Sequence, residues 1–139
     1  MRWALHVPVS YPSDPQPIGR RRILIADYTR PGKALIVTRS GRVVWRYGPA
    51  SGPGELDHPS LAVRIAPGLI AVTDDFRDRV VLISIRTKRI VWQYGHTDIA
   101  GRQAGFLHSP DGLDLLPTVY AERNPATRHL IVSSLRSRR

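Results

Sequence analysis

An all-β chain, built from four-stranded antiparallel meanders repeated in tandem, is predicted by three observations. Sliding the 139-residue sequence by 47 places superposes Pro12-Ser13 on Pro59-Ser60, Ile18 on Ile65, Ile23 on Ile70, Asp27 on Asp74, Arg30 on Arg77, and Leu35-Ile36 on Leu82-Ile83, without a gap. The same offset then carries Val44-Trp45-Arg46-Tyr47-Gly48 onto Val91-Trp92-Gln93-Tyr94-Gly95. The 11 Gly and 12 Pro are spread along most of the chain, which leaves no room for uninterrupted helices longer than about 15 residues. Apolar residues alternate or run in short blocks between turn signals, and the helical period is absent.

Taken in order, Trp3 to Val7 reads as a short extra strand. The first copy then follows the pattern that is clearest in the second. There Ser60 to Ile65 is the first strand and Ala66-Pro67-Gly68 a tight turn. Leu69 to Thr73, nearly all apolar, is a strand buried on both faces. The polar Asp74 to Asp78 loop leads into a third strand, Arg79 to Ile85, and Arg86-Thr87-Lys88 turns the chain into a fourth, Arg89 to Tyr94. Along that last strand Ile90, Trp92 and Tyr94 are expected on one face and Arg89, Val91 and Gln93 on the other, as Val43, Trp45 and Tyr47 oppose Arg42, Val44 and Arg46 in the first copy.

A third copy starts at an offset of 51, where Gly54, Leu56 and Pro59 correspond to Gly105, Leu107 and Pro110, and then decays. A further strand is expected at His129 to Ser134. A four-stranded unit of about 40 to 50 residues repeated in tandem is the signature of a β-propeller blade. The expected organisation is a strand or blade remnant in 1–10, blade one in 11–57, blade two in 58–109, and a partial third blade with a basic tail in 110–139. The fold class is therefore an incomplete β-propeller in one chain.

The run Pro59-Ser60-Leu61-Ala62-Val63, then Leu69 to Asp74, then Arg79 to Ile83, resembles the blade pattern of NHL-repeat propellers, in which a proline opens the inner strand and an Asp closes the second. Thr87 to Trp92, like Ser40 to Trp45, is similar to the closing motif of quinoprotein-like (PQQ-like) blades, where a turn precedes a docking Trp. The resemblance covers roughly residues 11 to 117 and implies fold rather than activity, because propellers host binding, scaffolding and many chemistries. Families of this kind close rings of six to eight blades. The shortfall implies that terminal blades expose a flat face and a strand edge, to be completed by self-association or by another propeller segment of a longer product.

Composition narrows the function classes. With 42% hydrophobic and 23% charged residues the chain is globular, and with no Cys it has neither a disulfide framework nor a thiolate metal site or catalytic thiol. No apolar run reaches the roughly 18 residues of a membrane span, and the N-terminus is too short and broken for a secretory signal. The net charge of +10 raises nucleic acid as a partner, but only Lys33 and Lys88 are lysines, and the arginine clusters at 20–22 and at Arg136, Arg138 and Arg139 are not interleaved with aromatics. The first reads as a solvated turn, with anion contact the alternative, and the second as a frayed chain end.

Candidate chemistry is sparse. Asp27 and Asp74 recur once per copy, which points to a structural role, either accepting loop amides or pairing with an arginine such as Arg79. Adjacent Asp74 and Asp75 point to opposite sides of an extended segment and form no shared-proton dyad. The recurring Trp and Tyr read as packing between blades. Ser60 and Ser109 lack the glycines of a nucleophile elbow, and Gly48 to Gly54 lacks the Lys and Ser/Thr of a phosphate loop. The non-repeating groups are His58, His96, Asp98, His108 and Asp111, expected on loops at one end, where they hydrogen-bond loops or line a channel able to take a ligand or a divalent metal. No catalytic residue, metal or cofactor is assigned. The expected function is a non-catalytic binding or scaffolding segment. The alternatives are part of a cofactor- or metal-dependent quinoprotein-like enzyme, and an RNA-binding propeller with a basic face.

Overall fold

The computed structural model describes residues 4–115. Strands β1 (Pro12–Ile18), β2 (Arg22–Asp27), β3 (Lys33–Thr38) and β4 (Val43–Tyr47) form one antiparallel sheet in that order. Strands β5 (Pro59–Ala66), β6 (Leu69–Asp74), β7 (Arg79–Ser84) and β8 (Arg89–Gly95) form a second in the same order. Both are meanders, each strand pairing with the next, and neither sheet closes on itself. The only helical element among the described residues is a 3-10 turn at Asp75–Arg77. The fold is thus the incomplete all-β arrangement of two blades that the repeat predicts.

The sheets pack face to face. Leu24, Ala26, Ala34, Ile36, Trp45 and Tyr47 of the first blade meet Ala62, Ile70, Val72, Val81 and Ile83 of the second in one core, closed by Leu56. Each fully buried Leu, Ile or Val contributes roughly 1.5–3 kcal/mol relative to exposure. The opposite face of the first blade, Ile25, Leu35 and Val37, is covered by Leu5, Val7 and Val9. These N-terminal residues act as a strap: positions 4–7 carry no strand pairing, contrary to the expected extra strand.

Two features correct the gapless alignment. Five residues, 28–32, link β2 to β3, whereas four, 75–78, link β6 to β7. The third strands are therefore equivalent at an offset of 46: Asp27 pairs with Lys33 across its ladder as Asp74 does with Arg79. Leu35 matches Val81 rather than Leu82. The offset of 47 returns by Trp45, which pairs with Ile36 as Trp92 pairs with Leu82. The second correction is a bulge in each outer strand, between Val43 and Trp45 and between Ile90 and Trp92. The extra residue, Val44 or Val91, breaks the alternation. Val43 consequently packs behind the first blade while Trp45 and Tyr47 face the second. Ile90 packs toward the first blade, and Trp92, with Leu82, faces away from it.

The Gly that closes each Trp-x-Tyr-Gly run is required by close approach. Gly48 has φ +141°, and a Cβ there would lie 2.6 Å from Gly32 O; at Gly95, with φ +90°, it would collide with the Asp78 carbonyl. The connections repeat too. Tyr47 Oη donates to Gly54 O at 2.7 Å, and Gly105 N–H donates to Tyr94 Oη at 3.1 Å. His58 and Ser109, each before a proline, both have positive φ, +53° and +45°. The third copy thus begins as its offset of 51 indicates, but no strand follows Pro110 as far as Leu115. The strand expected at His129 to Ser134 and the arginines at 136, 138 and 139 lie outside the described residues.

Candidate functional site

The blade architecture absorbs most of the carboxylates. Asp27 is fully buried at the end of β2; its Oδ1 accepts the Ser10 and Tyr11 N–H groups at 3.0 and 2.9 Å, and Lys33 Nζ lies 3.4 Å from Oδ2. Asp74 does the same one blade later, with Oδ1 accepting Asp57 N–H and Oδ2 receiving Arg79 Nε at 2.7 Å. Each Asp clips the chain entering its own inner strand, the structural role the repeat predicts. Burial holds the Asp74 carboxyl above the usual range, opposed by the Asp57 amide and Arg79. Arg79, itself buried, also donates to Pro53 O, Glu55 O, Gln93 Oε1 and Thr97 Oγ1, and so ties the Gly/Pro-rich connection to β8.

A second assembly sits where the inner strands start. Asp75 turns away from Asp74 and accepts a hydrogen bond from Ser60 Oγ at 2.7 Å, with Thr73 Oγ1 2.8 Å from the same hydroxyl. Burial, opposed by the Ser60 hydrogen bond and reinforced by Asp111, pushes the Asp75 carboxyl up to about 6. Beside it four rings from four segments converge: Tyr28 lies 5.6 Å from Tyr11, 4.9 Å from His58 and 6.3 Å from Phe76, and His58 lies 4.3 Å from Phe76. Tyr11 and Phe76 are 61% and 56% exposed. Burial, then Asp75 and Asp111, raise the Tyr28 phenol above its ordinary value. Between β1 and β5, a cleft of about 630 Å³ runs from Ser13 and Gln16 past Ser60 to Asp111 and Asp114.

The candidate residues separate. His58 Nδ1 is 2.6 Å from Asp57 Oδ1, and Asp57 also pairs with Arg30 at 3.1 Å. Asp98 is held by the Arg77 guanidinium, Nε to Oδ1 and NH2 to Oδ2, both at 3.0 Å, which lowers its pKa from the ordinary carboxylate value. His96 stacks on Phe106 at 4.2 Å. Asp111 reaches the Asp75 and Tyr28 neighbourhood, whereas the His108 side chain makes no hydrogen bond or ion pair among the described residues. Only His58 and Asp111 approach one assembly, and no three His, Asp or Glu side chains among the described residues converge as a metal site would require. Asp98 is drawn to Arg77 and His96 to Phe106, so the five residues are not gathered into one cluster among the described residues.

Sequence reasoning missed the ring cluster and a basic groove between the outer strands. The available signal was non-repetition: Tyr28 falls on Asp75 and Phe76 on Thr29 at the 47-residue offset, so the blade pattern does not demand these aromatics. No protein-family model matches the chain, and no curated protein matches it.

Proposed function

We propose that the chain is a non-catalytic binding and scaffolding module that assembles through the outer face of its second blade. One contrast carries the reading. Trp45 and Tyr47, 8% and 4% exposed, are sealed by the neighbouring blade, and Trp45 Nε1 donates to Ile85 O at 2.9 Å. Trp92, in the same place one blade later, is 43% exposed, and its indole N–H has no acceptor among the described residues. Exposed Trp beside Val91, above Leu82 on the same sheet face, is a surface that a further blade would cover.

A second copy is the partner we favour. Head-to-tail stacking is opposed by the strap, since Leu5, Val7 and Val9 already occupy the first blade's outer face. Pairing of two Trp92 faces about a two-fold axis needs no displacement and closes the assembly. Light scattering should give a native mass of about 31 kDa, twice the 15.6 kDa chain, and Trp92→Arg should return it to one chain's mass. A cooperatively folded wild-type protein that stays at one chain's mass at high concentration would refute the proposal.

A further inference from the structure

A groove of about 1430 Å³ opens between the outer strands β4 and β8. Five cations line it, Arg46, Arg77, Arg79, Lys88 and Arg89, and no carboxylate does. Arg77 and Arg79 are neutralised by Asp98 and Asp74. The side chains of Arg46, Lys88 and Arg89 make no hydrogen bond or ion pair among the described residues, so three positive charges remain uncompensated there. The groove is also built rather than incidental. Arg77 and Arg79 hold its Gly/Pro wall by donating to Gly52 O, Pro53 O and Glu55 O. Its remaining surface includes Pro49, Pro53 and Ile90, which offer apolar contact.

We infer that this groove binds an organic phosphate, a dianionic group carried on a flat apolar body, as in a nucleotide. A phosphate accepts several N–H donors at once, and the guanidinium fork of Arg46 or Arg89 matches its geometry better than a point charge does. The chain's overall charge of +10 steers anions toward it. Neither Trp92 nor Tyr94 lines the groove, so the inference is independent of the assembly face.

The test uses the full chain with AMP, adenosine, inorganic phosphate and a short single-stranded RNA as calorimetric probes. AMP should bind, adenosine should not, and affinity should fall as ionic strength rises from about 50 to 300 mM. The exposed pair Lys88→Asn with Arg89→Gln should weaken AMP by about tenfold or more, with an unchanged unfolding midpoint showing that the fold persists. Asn tolerates the left-handed backbone of Lys88, φ +52°. RNA binding more tightly than AMP would make a strand of monoanionic phosphodiesters the ligand and overturn the proposal, whereas equal or weaker RNA binding supports a free phosphate monoester. Adenosine matching AMP, an undiminished variant, or no binding at all would overturn it, as would inorganic phosphate binding as tightly as AMP, the result of an adventitious ion only.

Discussion

Asp74 and Asp75 are neighbours in sequence with different roles, and the difference is one of partners. Asp74 meets a guanidinium and an amide, whereas Asp75 meets one hydroxyl in a buried setting with Asp111 nearby, so its protonated form is favoured in the folded chain. Because its folded pKa lies above the ordinary 3.8, the stabilisation is fully present below that value and is lost as pH rises through about 6. A shift of roughly two units corresponds to about 3 kcal/mol carried as a cost at neutral pH. Asp75→Asn keeps an oxygen for Ser60 and removes the charge. It should raise stability at pH 7 by about 1–3 kcal/mol and flatten the decline between pH 4 and 6, read by urea titrations across pH. A variant with the wild-type pH profile would show that Asp75 is not the titrating group. The Asp74 partners, a loop amide and Arg79, were legible in the repeat, whereas the Asp75 setting was not, because Ser60 and Asp111 lie far from it along the chain.

At the scale of strands, the outer strand of each blade shows what a bulge does. The alternation read along Val43-Val44-Trp45 assigns Val43 and Trp45 to one face; the extra residue at Val44 separates them, so one valine packs under the strap and the indole reaches the next blade. The two indoles then offer an internal comparison. Trp45→Phe removes the hydrogen bond to Ile85 O and part of the core contact, and should cost about 1–3 kcal/mol in dilute solution. Trp92→Phe in the same dilute sample should change stability by less than about 0.5 kcal/mol, since the ring is exposed there. Chemical denaturation of both variants decides the matter, and equal losses would show that Trp92 is as sealed as Trp45, against the contrast between the faces. Strand positions were legible because they depend on local alternation and turn residues. The third-strand register was not, since a loop one residue shorter is hidden by a later compensating residue in the turn before β8.

Viewed whole, the molecule has a covered side and an open side. The strap of Leu5, Val7 and Val9 closes the first blade, while the Trp92 face of the second is open. If two such faces associate, folding and assembly are linked by mass action, and the thermal midpoint should rise with protein concentration. A hundredfold dilution should lower the midpoint of the wild-type chain and leave that of Trp92→Arg unchanged, as followed by far-ultraviolet dichroism. A wild-type midpoint independent of concentration would separate stability from assembly.

The amino-acid order alone determined the unit of construction: four short strands, a recurring Asp at the end of the second, and a Trp-x-Tyr-Gly closure, each written twice. These are short-range properties, fixed by side-chain alternation and turn chemistry within a few residues. Only the tertiary structure decided which faces are sealed and which are open, how His58 joins Tyr28 and Phe76 while Asp98 leaves for Arg77, and that cations from both blades border one groove. Those outcomes depend on how one sheet lies on another, and a single bulge or a loop shorter by one residue is enough to redirect a side chain from one face to the other.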